Sequence, residues 1–157
     1  TVSSDQFPIL RWDFGELAGA KAEGAGILEL TTVHVAKGGD YIAPYGEDLG
    51  VEFDKVRIIE IFGGDPSWDQ RSVTYQSFTD GQPLAELVNG QMTFDAELSE
   101  DRDGKTYATL PRPVMQRLLD GTTRGLMLKP LGAIDASIFD SEAGDGSRAP
   151  TLHFSVQ

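Results

Sequence analysis

The chain has 157 residues, enough for one domain whose core needs neither metal nor disulfide staples. Its 25 acidic residues outnumber 13 Lys and Arg, and the resulting net charge of -12 repels phosphate backbones and anionic lipid at long range, which argues against a nucleic-acid partner. It contains no cysteine, so a disulfide framework and a thiol nucleophile are excluded, and no apolar run approaches the roughly 20 residues of a membrane-inserted helix.

Hydrophobic residues make up 39% of the chain, with 18 Gly and 8 Pro, a composition that favours short strands and tight turns over long helices. In "ILRWDFGEL", Leu10, Trp12 and Phe14 alternate with Arg11 and Asp13, predicting a strand with Trp12 facing inward. A second strand is predicted in "GAGILELTTVHVA", where Leu28 and Leu30 share a face and His34 lies near the end. Gly, Pro and acids recur from Lys37 to Asp54, marking a long loop. There Tyr41 and Tyr45, beside Asp40, Glu47 and Asp48, have the makeup of a glycan site: rings for stacking, carboxylates to accept from sugar hydroxyls. A surface loop packed on its own tyrosines accounts for them equally well.

A third strand, Val56 to Phe62, is apolar on both parities, which implies cover on both faces. After a Gly-Gly-Asp-Pro turn, a further strand is expected around Ser72 to Phe78. Met92, Phe94 and Ala96 alternate, an Asp-Arg-Asp-Gly turn follows, and Thr106 to Leu110 reads as the returning arm of a hairpin. "PRPVMQRLLDG" carries proline at its opening, Val114 and Leu118 four apart, and Gly121 after the last apolar pair, the start and stop marks of one short helix. Three closing strands are expected in "TRGLMLKPL", "AIDASIFDS" and "TLHFSV". In the last, Leu152, Phe154 and Val156 oppose Thr151, His153 and Ser155; Pro150 opens it, and Gly144 and Gly146 supply the preceding turn. The expected fold is all-β: one antiparallel β-sandwich over 1–157, jelly-roll-like, with a single short helix.

Among candidate site residues, Trp12 shares its parity with Leu10 and Phe14, so it reads as core although an indole also makes a sugar platform. Trp68 reads as a plug over the rim of the core. Asp101 and Asp103, two apart before Gly104, match the opening of a calcium loop, yet the later bidentate glutamate is missing and a solvated hairpin tip is the favoured reading. A structural calcium is the one ion such a chain is expected to hold, and no cofactor is expected to be required. Arg117, Arg124 and Lys129, with Arg112, fall close together around the expected helix and would serve an acidic glycan if they gather on one face. His34 and His153 lie at outward parity without triad or metal spacing, so catalysis is not expected.

The segments "ILRWDFGELAGAKAEGAGILEL", "VRIIEIFGGDPSWDQRSVTYQSF", "LPRPVMQRLLDGTTRGLMLKP" and "FDSEAGDGSRAPTLHFSV" together resemble the DNRLRE-type domain family, which includes carbohydrate-binding modules of polysaccharide-degrading enzymes and large surface proteins. The resemblance runs from Ile9 onward. It implies a non-catalytic module of a secreted, surface or periplasmic bacterial protein, binding a polysaccharide and joined to a catalytic or scaffold domain, with a purely structural or adhesive spacer as the alternative. Only about ten residues precede the Leu-Arg-Trp-Asp segment, so the family's amino-terminal edge is expected to be either truncated or built differently, and Lys37 to Asp54 matches no family pattern. Glu142 and Arg148, flanking the glycine loop before the last strand, are expected to pair and fix its register.

Overall fold

The computed structural model describes residues 1–37, 55–65, 67–68, 72–132 and 134–157. Strands β1 (Ile9–Leu10), β6 (Gly125–Leu131), β3 (Lys55–Ile61) and β4 (Val88–Ala96) form one antiparallel sheet in that spatial order. The second sheet is centred on β2 (Gly26–Lys37), whose 12 residues are long enough to serve three partners. Along one edge lies β5 (Lys105–Leu110), while β8 (Thr151–His153) pairs with Ile27 to Glu29 and β7 (Ile134–Ile138) with the stretch from Thr32 to Lys37.

Period-two burial makes the core. β5 alternates throughout, with Thr106, Ala108 and Leu110 buried and Lys105, Tyr107 and Thr109 exposed. Leu28 and Leu30 from β2, Val56 and Ile58 from β3, Leu126 and Leu128 from β6, and Ile134 and Ala136 from β7 meet in one apolar cluster fed by both sheets. Leu152, Phe154 and Val156 pack against that cluster from the terminal segment, while Thr151, His153 and Ser155 face out as their parity predicts. Cover on both faces of β3 is also found. Ile61 and Met127 point away from the main core into a second cluster with Phe78 and Leu87.

That second cluster explains two corrections. The expected strand around Ser72 to Phe78 is instead a helical turn, α1 (Tyr75–Thr79), begun by a reciprocal cap in which Thr74 Oγ1 accepts from Ser77 N (3.1 Å) and Ser77 Oγ accepts from Thr74 N (2.9 Å). Val73 and Phe78 reach the same cluster, which alternation does not anticipate. A second short helix, α2 (Leu84–Leu87), follows Pro83 and buries Leu87. The single expected helix is present as α3 (Arg112–Leu119), burying Val114, Met115, Leu118 and Leu119, but among the described residues it is one of three short helices beside a 3-10 turn at Gly15–Leu17.

The expected hairpin between Met92–Ala96 and Thr106–Leu110 does not form. β4 pairs with β3 and β5 with β2, so the acidic turn carries the chain from one sheet to the other. Leu98 is buried at that crossing, and backbone bonds between Thr32 and the turn (Thr32 N to Gly104 O, 3.0 Å; Asp103 N to Thr32 O, 2.8 Å) fasten it to β2. No helix among the described residues is long and apolar enough to cross a membrane.

Candidate functional site

A cleft of about 250 Å³ opens where the segment after β1, the turn after β3 and the end of α3 converge. Its floor is apolar: Ile9, Ile61, Phe78, Leu118 and Leu119. Its walls carry Trp12 and Trp68, which are the only two tryptophans in the chain, together with Arg11, Arg124, Asp13 and Asp65. Both indoles are half-buried, presenting part of each ring while the remainder packs on core residues.

Local bonding fixes these groups. Trp12 Nε1 donates to the Pro150 carbonyl at 3.1 Å, so the residue that opens the terminal strand also orients an indole. The Arg11 guanidinium lies 4.7 Å from the centre of the Trp68 ring, a cation–π stack. Asp13 Oδ1 accepts from Gly15 N at 2.9 Å, and Asp65 Oδ1 accepts from Ser67 N at 2.8 Å and Ser67 Oγ at 2.7 Å. The Ser67 hydroxyl and then its amide hold the Asp65 carboxyl below the usual aspartate range. The turn itself is pinned by Phe62 N and Gly63 N to the Leu87 carbonyl and by Asp65 N to the Phe78 carbonyl. Arg124 spans the cleft edge, its Nη1 donating to the Gly64 carbonyl at 2.6 Å. Close approach shapes the opposite wall, where a Cβ on Gly125 would run into the Leu10 carbonyl.

Behind that wall lies a buried polar cluster. Glu60 is fully buried on the inward parity of β3, and its carboxylate accepts from Arg117 Nε (2.9 Å) and Nη2 (2.6 Å), Thr123 Oγ1 (2.6 Å) and Asn89 Nδ2 (3.3 Å). Burial pushes the carboxyl pKa up, but Arg117, Thr123 and Asn89 together outweigh it and leave the group below the usual glutamate range. Thr123 N also bonds the Arg117 carbonyl and Arg124 N the Ile61 carbonyl, at 3.0 and 2.7 Å. Glu60 therefore anchors the loop that delivers Arg124 to the cleft.

Arg112, Arg117, Arg124 and Lys129, the four cations that would serve an acidic glycan if they gathered, have different partners. Arg117 neutralises Glu60 and is architectural, Arg112 Nε donates to the Ala22 carbonyl at 2.9 Å, and Lys129 Nζ lies 5.9 Å from the centre of the Phe7 ring. Arg124 alone of the four lines the cleft. Asp40, Tyr41 and Tyr45 lie outside the described residues. Asp103 forms an ion pair with Arg148 at 2.8 Å, and among the described residues no three His, Asp or Glu side chains come together as a metal group. Arg148 also lies 4.1 Å from the centre of the Phe139 ring, so the expected anchor of the terminal strand grips the crossing between the sheets; Glu142 N is bonded to Asp140 Oδ1 at 3.0 Å. His153 Nε2 meets Glu29 Oε2 at 2.9 Å on the outer face of the second sheet, and Lys105 holds the other oxygen at 2.6 Å. Those bonds, Lys105 first, lower the Glu29 pKa.

Trp12 and Trp68 each pack in part against core residues, and both also border the cleft. Arg11, Asp13 and Asp65 were missed as wall residues. Their outward parity beside Trp12, and the Gly-Gly-Asp-Pro turn before Trp68, are the signals the sequence holds; only folding of α1 and α2 over the sheet brings the two segments together. Comparisons with protein-family models, with curated proteins and with solved structures gave no match for this chain.

Proposed function

We propose that the chain is a non-catalytic carbohydrate-binding module that holds a saccharide in the Trp12–Trp68 cleft. The carrying observation is that both tryptophans border one apolar-floored cleft, together with guanidinium and carboxylate groups. Indole faces pack on the C–H faces of pyranose rings, and charged groups at the rim donate to and accept from hydroxyls. The partial resemblance to DNRLRE-type domains supports the same reading. It also supplies the setting: a secreted, surface or periplasmic bacterial protein in which the module keeps a linked enzyme or scaffold near its polysaccharide by raising effective concentration. The finer architecture belonging to this reading is a jelly-roll-like β-sandwich, supported by strands that repeatedly change sheet along the chain.

Intrinsic tryptophan fluorescence reports on this cleft, since the chain has no other tryptophan. Titration with a panel of neutral and acidic oligosaccharides should shift the emission for at least one class, and Trp68→Ala should weaken that binding. No spectral or calorimetric response to any glycan would overturn the proposal. Appearance of new reducing ends on the same substrates would overturn the non-catalytic part. A spacer without a sugar ligand is the second reading, favoured by the internal engagement of Arg11 with Trp68 and of Arg124 with Gly64. A structural calcium is tested by chelation: a fall in melting temperature with EDTA, restored by calcium, would establish one.

A further inference from the structure

Asn89 is the only asparagine in the chain, and Gly90 follows it. At four other places where an acid or amide of this shape precedes glycine, the chain uses aspartate: Asp80–Gly81, Asp103–Gly104, Asp120–Gly121 and Asp145–Gly146. The exception has a structural cause. Ile59 faces Thr93 and Ile61 faces Val88 across the β3–β4 ladder, so Asn89, Gly90, Gln91 and Met92 lie opposite Glu60 alone. An aspartate at position 89 would set a second carboxylate against the buried one, whereas the amide donates to it at 3.3 Å.

The same bulge prepares that amide for reaction. Asn89 Oδ1 accepts from Gln91 N at 3.2 Å, which folds the side chain over its own following peptide and polarises the amide carbonyl. Gly90 is exposed, and a Cβ there would meet nothing within 4 Å, so the peptide that follows Asn89 carries no side chain and its Cα stands in open space.

We propose that Asn89 is a site of spontaneous deamidation, and that the carboxylate it forms loosens the Glu60 anchor behind the cleft. The Gly90 nitrogen bonds to Asn89 Cγ and gives up its proton, and Nδ2 leaves as ammonia carrying that proton. Water then adds to either carbonyl of the resulting cyclic imide and breaks one C–N bond, leaving an aspartate or an isoaspartate. The donor to Glu60 becomes a like charge, and Arg117 must serve two carboxylates. Thr123 and Arg124 depend on that arrangement, so the cleft wall is the part disturbed.

Incubation of the full chain at mildly alkaline pH, beside a Val-Asn-Gly-Gln peptide, tests this through intact mass and released ammonia. One deamidation step is expected in the protein and its loss over the same interval in Gly90→Ala. The converted protein, separated by its extra negative charge, and Asn89→Asp should both melt at least about 2–4 °C below wild type. An unchanged protein mass while the peptide converts fully would overturn the site. An unchanged melting temperature of the converted form would overturn the consequence. Neither readout needs a ligand, so a failure here is distinct from a failure of saccharide binding.

Discussion

Glu60 occupies a position where the alternation of Val56 and Ile58 calls for an apolar side chain, and it is fully buried there. A carboxylate is tolerated because three side chains donate to it, one of them a bidentate guanidinium. Removing the guanidinium leaves the charge buried with neutral donors only, so Arg117→Ala should cost about 3–5 kcal/mol in urea denaturation. A pH dependence follows from the same group. The folded carboxyl titrates below its unfolded value, so its stabilisation is complete above the unfolded pKa and is lost as pH falls through the folded one. The melting-temperature advantage of wild type over Glu60→Gln should therefore hold at neutral pH and shrink only in acid below the ordinary glutamate range. A constant gap down to that range and through it would contradict the assignment.

Two short elements decide whether the cleft exists. The turn α1 carries Phe78 to its floor, and the Thr74–Ser77 exchange of hydrogen bonds is what starts it. Thr74→Ala should lose about 1 kcal/mol and shift the tryptophan emission, because Phe78 and Trp68 share one apolar cluster. On the other wall β1 has only two residues, and its pairing with β6 depends on the bare Cα of Gly125 against the Leu10 carbonyl. Gly125→Ala should therefore destabilise by roughly 1–3 kcal/mol and speed hydrogen exchange at Leu10 more than in β2. Parity revealed strands such as β5 and β8 because each has one dry face and one wet face. It misread Ser72 to Phe78, since a five-residue helix is too brief to display its own period and its cap is polar.

At the scale of the molecule, the main core draws on both sheets, and the second cluster is tied to it through the two faces of β3 and β6. Neither sheet can keep its apolar face dry alone. Loss of far-ultraviolet ellipticity and of cleft tryptophan fluorescence should thus coincide in urea as a single transition. The net charge of -12 acts at this scale too. Binding of a neutral oligosaccharide should be nearly indifferent to salt, whereas any acidic polymer should bind better as ionic strength rises from about 0.01 M to 0.15 M and self-repulsion is screened.

By itself the sequence determined the alternating strands, the one longer helix with its proline entry and glycine exit, and the acidic surface, because each is written in neighbouring residues. Tertiary structure decided what those pieces meet. It sent β4 and β5 to different sheets, although their sequence alternates like a hairpin, because burial of Leu98 and bonding of the acidic turn to β2 are long-range gains. It also turned Arg117 from a candidate ligand contact into the counter-ion of Glu60, 57 positions away, and brought Arg11 onto Trp68. Pattern reports which face of an element is dry; only packing reports which element lies across from it, and the cleft is made of such meetings.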